Sequence, residues 1–196
     1  MISEHDMSLD LAMVQSLVGQ TLRDPRAAAA RLLGMAVPDD ARWLGFVIVI
    51  ILSVIVGQVS ILLMGEGAMG GGLLFMAMFQ ASILLGMVVA VQGVGRALGG
   101  KGDFPDTLLL VAWLQFVMLV FQLAQIVALV IVPPFFGLMT LLALGWFMWM
   151  LTHFVMALHG FTSVLKVAVG IVFSFFGVAM ALAILLSLLG LAPTGA

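Results

Sequence analysis

The chain has 196 residues and a formal net charge of −2; 64% of it is hydrophobic, only 8% is charged, and its mean hydropathy is +1.32. A soluble domain carries charge on about a quarter of its residues, so this composition excludes one and defines an integral membrane protein. Lys and Arg are nowhere dense enough for a nucleic-acid footprint, and zero Cys excludes disulfides, thiolate metal sites and Cys nucleophiles.

Residues 1–40 form the one sizeable polar segment, expected as a cytoplasmic amphipathic region. Leu11, Val14, Val18 and Leu22, with Met13 and Leu17, recur at three- and four-residue spacing and predict a helix with one apolar face. Asp24-Pro25 signals a second short helix, because Asp caps free amides and Pro suits the first helical position; Gly34 stops it. Arg23, Arg26 and Arg31 edge this helix. Two readings stay open: it lies on lipid with its arginines at anionic headgroups, or it packs on the protein's own cytoplasmic ends. The first 40 residues lack a basic start followed by an apolar core, so the first span is expected to act as its own insertion signal.

Residues 41–192 contain five apolar runs, at about 43–64, 73–98, 108–132, 135–158 and 164–191. Each has at least 22 residues, and at 1.5 Å per residue each can cross a hydrocarbon core of roughly 30 Å. The expected fold is therefore an all-α polytopic membrane bundle of five transmembrane helices. An inside N-terminus and outside C-terminus place all seven Lys and Arg residues on the cytoplasmic side, which is the positive-inside pattern. The glycine-rich loop 65–72 and the Pro133-Pro134 turn then fall outside. Neither proline has an amide proton, so a tight hairpin is expected there.

Helix contacts in lipid favour small residues, and Ser82, Gly86 and Ala90 repeat every four residues as a packing seam or, alternatively, a homo-oligomer face. The central parts of the spans carry no Asp, Glu, Lys or Arg. Gln115, Gln122, Gln125 and His153 are the amide and imidazole groups of spans three and four, read as interhelical glue or, more sharply, as a solute path. His153 and His159 lie about 240° apart around a helix and make a poor metal pair. No His-Glu-x-x-His and no nucleophile motif occurs, so neither an enzymatic activity nor a cofactor is expected.

Between spans two and three lies Gly99-Gly100-Lys101-Gly102-Asp103-Phe104-Pro105-Asp106-Thr107, entering an apolar helix with Ala112-Trp113. Its glycines allow a tight turn, and Pro105 and Asp106 restart a helix as a cap-like pair with Thr107. A second short turn, Gly160-Phe161-Thr162, leads to Lys166. Together these residues resemble the membrane domain of the Yip family, the Ypt/Rab-interacting proteins of secretory membranes and their bacterial relatives. The resemblance runs from about Asp24 to Leu189. It implies a non-enzymatic scaffold or assembly factor that binds the lipid bilayer and other membrane proteins, with Gly99, Gly100, Lys101, Gly102, Phe104, Thr107, Trp113 and Lys166 as the motif positions. The alternative is a small transporter or channel. Eukaryotic members carry an Asp-Leu-Tyr-Gly-Pro type motif ahead of their spans, and this chain has no Tyr. Rab-type GTPase binding is not carried over, and the short tail and minimal loops resemble the bacterial branch, implying a bacterial inner (cytoplasmic) membrane.

Overall fold

The computed structural model describes residues 4–65 and 72–188; most of the glycine loop expected at 65–72 lies outside them. All the regular structure among the described residues is helical: α1 (Glu4–Arg23), α2 (Pro25–Leu33), α3 (Asp39–Leu63), α4 (Gly72–Ala97), α5 (Phe104–Ile131), α6 (Phe136–His159) and α7 (Val164–Leu188), with a 3-10 turn at Pro133–Phe135 before α6. Four of these, α3 to α6, are long and apolar enough to cross a membrane, and Val164–Gly177 of α7 is a shorter apolar stretch. The helices start where polar chemistry supplies a first turn. Asp39 and Asp40 open α3 at its positive end. Asp24 caps α2 by accepting the Ala27 amide at 3.0 Å. For α5 the expected restart at Pro105-Asp106 is corrected: the cap is Asp103, which accepts the Asp106 amide at 2.9 Å, so the helix begins at Phe104.

α5 is the central post. Leu110, Leu114 and Val117 face a core shared with α1, α2, α6 and α7, whereas Leu108, Val111 and Ala112 face a second core with α3 and α4. Packing is graded along the bundle. The buried residues of α5 end at Leu119 and those of α6 run mainly from Met150 to His159, so the end bearing the 98–103 and 160–163 turns is closely packed. Toward Pro133 the same two helices present Val127, Val130, Ile131, Leu138, Leu141 and Leu142 outward. In a bilayer such side chains lose nothing by meeting lipid tails.

The N-terminal helices close the packed end. α2 lies on α6 and α5, and Ala28 and Ala29 are fully buried, their small side chains letting the helix approach closely. The protein therefore covers the face of α2 that sequence left open between lipid and protein. α1 docks through its C-terminal half: Leu17 and Thr21 are buried, whereas Leu11, expected on the apolar face, is 59% exposed because the contact has run out before it. At the start of α3, Arg42 donates to Asp106 at 2.9 Å and to the Val37 carbonyl at 2.9 Å, tying the linker and α3 to the first turn of α5.

The expected seam on α4 does not pack within the described chain. Ser82 and Gly86 are exposed, Ala90 is half-buried, and a Cβ on Gly86 would meet nothing within 4 Å. The buried residues are Leu84, Val88 and Gly95. Leu84 and Val88 each stand two residues on, about 200° around the helix. In a helix that is apolar all round, small residues mark where a neighbour could approach, not where one does.

Replacing Ala29 with Leu adds three carbons at a site with no spare volume. Ala29→Leu is expected to cost about 1–3 kcal/mol and to loosen α1 and α2, read as a lower unfolding midpoint in mild detergent with faster proteolysis before residue 39. An unchanged midpoint and cleavage rate would show that α2 is not held by this contact.

A glycine cradle at the packed end

Two chain reversals meet at the packed end, and each is built the same way. α4 ends with Gly99 at φ 86°, the Gly99 amide bonding Arg96 O at 3.0 Å and the Gly100 amide bonding Gly95 O at 2.9 Å. α6 ends with Gly160 at φ 74°, with the Gly160 and Phe161 amides both on Met156 O at 2.9 and 3.1 Å. A left-handed residue closes each helix, a conformation that glycine alone enters without a Cβ penalty. Ser163 then caps α7, its Oγ accepting the Lys166 amide at 3.4 Å.

His159, the last residue of α6, fills the gap between the reversals and is 3% exposed. Its Nδ1 accepts the Gly102 amide at 3.2 Å, and its Nε2 lies 3.2 Å from the Val91 carbonyl. A carbonyl only accepts, so these partners assign the proton to Nε2 and leave Nδ1 bare. The ring stacks on Phe161, with centroids 5.5 Å apart. Gly95, Gly100 and Gly102 surround it so closely that a Cβ on any of them would overlap the imidazole or its neighbour Leu158. Three of the glycines in the polar hinge region thus have different duties: Gly99 turns the chain, and Gly100 and Gly102 make room for a ring.

Other motif positions serve the same corner. Thr107 is fully buried and its hydroxyl donates to the Asp103 carbonyl. Trp113 donates from Nε1 to Thr21 Oγ at 3.0 Å, and Thr21 passes its own proton to Leu17 O at 2.8 Å, so the tryptophan anchors α1. Phe104 is half-buried against Trp43, with centroids 6.2 Å apart. Lys101 and Lys166 are exposed. His159 is the position that sequence reasoning missed. The available signal was the glycine spacing at 95, 100 and 102, which flanks a hinge but does not name what it accommodates.

The polar residues of spans three and four do not converge. Gln115 donates to Ser53 of α3 at 2.9 Å, Gln122 lies over Gly57 of α3, and Gln125 donates to Thr140 of α6 at 3.3 Å. His153 bonds its own helix through the Trp149 carbonyl at 2.8 Å. A cavity between α4, α5 and α6, lined by Val91, Leu110, Leu114, Leu151 and Phe154 among others, holds about 10 Å³. That is at the lower limit for a single water, and its walls are apolar. Among the described residues no group of three or more His, Asp or Glu side chains could hold a metal.

An all-helical polytopic membrane protein whose two short turns lock on a buried histidine is the class that fold and corner define. A family model, the Yip1 domain, matches residues 19–189, and the chain belongs to that family. No curated protein and no solved structure matched the chain.

The cradle predicts strong coupling between Gly95 and His159. Gly95→Ala should cost about 1–3 kcal/mol through overlap with the ring, and adding His159→Ala should recover part of that loss, giving a double-mutant interaction of at least about 0.5 kcal/mol. Additive effects on the unfolding midpoint would mean that the two residues do not share this contact.

Proposed function

We propose that the protein is a non-enzymatic membrane scaffold or assembly factor with five spans, α7 being the fifth, and that it binds other membrane proteins through the cytoplasmic end of the bundle. The observation that carries this reading is the cradle. Most of the polar structure of the molecule is invested in fixing the shape of one end, where Lys101 stands exposed on a rigid turn. A rigid, polar end on an otherwise oily bundle suits recognition by shape and charge. In the transporter reading, the glutamines and His153 would line a common path. Their bonds to α3, α6 and the local backbone support the glue reading instead.

The orientation proposed is N-terminus in the cytoplasm and C-terminus outside, in a bacterial inner membrane. It rests on the basic residues, since Arg23, Arg26, Arg31, Arg42, Arg96, Lys101 and Lys166 then share one side. The chain has no Cys, so single cysteines report topology cleanly. Pro134→Cys should label with a membrane-impermeant maleimide in intact spheroplasts, and Lys101→Cys only after permeabilisation. The reverse pattern would invert the topology.

The test of the scaffold reading is purification of the tagged protein from its native membrane in gentle detergent at low expression, with quantitative mass spectrometry. A membrane-protein partner is expected near one-to-one and should be lost when Lys101 and Phe104 are changed together. Self-association, for which the exposed Ser82 and Gly86 face is the candidate, would appear in the same preparation as a doubled mass. Elution alone in several detergents would count against a scaffold. Gln122→Leu with His153→Leu should leave partner recovery intact; a folded variant that instead loses flux in liposomes would establish the transporter.

A further inference from the structure

The exposed cations of the packed end fall in two groups, Arg96 and Lys101 by the α4–α5 turn, and Arg23, Arg26, Arg31 and Lys166 by α2 and the start of α7. Arg23 ends α1, Arg26 lies in the first turn of α2, and the Arg26 guanidinium reaches the α6–α7 turn, where Nη2 donates to the Phe161 carbonyl at 3.4 Å. Lys166 follows in the first turn of α7, the positive end of a helix, with no acid in that turn to offset it. Asp24 is the acid beside Arg26 in sequence, and its carboxylate is engaged with the Ala27 amide. Both ion pairs among the described residues are made by Arg42, on the other side of α5. His159 adds no charge, since its ring is bonded in the neutral form.

We propose that this corner, between α2 and the start of α7, binds the phosphate headgroup of an anionic phospholipid, with Arg26 and Lys166 as its two cationic contacts. Arg26 spends one N–H on Phe161 and keeps the rest of its planar fork for phosphate oxygens. Lys166, in the first turn of the helix that follows, supplies a mobile point charge. The source is a lipid rather than a soluble phosphate because the adjoining surface is apolar: Val164 is 47% and Leu165 74% exposed on the flank of α7, where an acyl chain would lie. The proposal rests on insertion in a bilayer and not on the scaffold role, so it stands or falls independently of any protein partner.

The test is native mass spectrometry of the purified full chain after equilibration with equal amounts of phosphatidylglycerol and phosphatidylcholine. Wild type should retain phosphatidylglycerol in preference. Lys166→Gln and Arg26→Gln should each lower that preference about fivefold, whereas Lys101→Gln, an exposed cation at the other turn, should leave it unchanged. Excess inorganic phosphate should not displace the lipid. Lys166 is exposed, so its variant decides the matter even if Arg26→Gln perturbs the turn. The proposal is overturned by any of four results: no preference in wild type, an unchanged preference with Lys166→Gln, an equal loss with Lys101→Gln, or displacement by inorganic phosphate.

Discussion

The contact on which the rest of this structure depends is an imidazole pressed against bare backbone. His159 sits where two helix reversals cross, and the space it takes exists only because positions 95, 100 and 102 have no side chains. Its two nitrogens reach Gly102 in the α4–α5 turn and Val91 in α4, so one side chain fixes the turn before α5 to the end of α6. In hydrocarbon, apolar side chains gain little by choosing one another over lipid. Directional bonds near the interface, together with close packing of small surfaces, are then what is left to set the arrangement of helices.

That physical situation explains why the bundle is tight at one end and open at the other. At the packed end the cradle, the Trp113–Thr21–Leu17 relay and the Arg42–Asp106 pair all act within the first turns of α5 or just beyond. α2 can lie against α6 there because Ala28 and Ala29 demand no room. Farther along, Gln125 bonds Thr140 between α5 and α6, and the leucines and valines of the two helices turn outward. A helix pair joined by Pro133-Pro134 needs little more, because the hairpin already holds the two ends together.

Much of the architecture was legible in the sequence because helices in lipid announce themselves by length and hydropathy. The Asp24-Pro25 start was also readable, since capping is local chemistry. Choice of face was not. Ser82 and Gly86 look like a seam, yet Leu84 and Val88 are what α4 buries, and no amphipathic contrast distinguishes the two sides of so apolar a helix. The role of His159 was hidden for a related reason. A terminal histidine beside a glycine turn reads as an interfacial residue, and nothing over a separation of 57 positions says that Gly102 will come back to it. Long-range polar contacts of this kind depend on tertiary geometry and leave no periodic trace.

Belonging to the Yip1-domain family fixes the kind of molecule without fixing its partner. The cavity between α4, α5 and α6 is apolar and about 10 Å³ in volume, room for no more than a single water. Most of the outward surface of the spans is Leu, Val, Ile, Phe and Met, which any lipid tail satisfies equally. On the scaffold reading proposed above, selectivity falls to the end where Lys101 and Lys166 are exposed. Two turns meet there, one carrying Lys101 and one leading to Lys166, and the histidine between them bonds the first and stacks on the second. A change at the cradle would then act on both turns at once, even though His159 itself is buried out of reach of anything that binds.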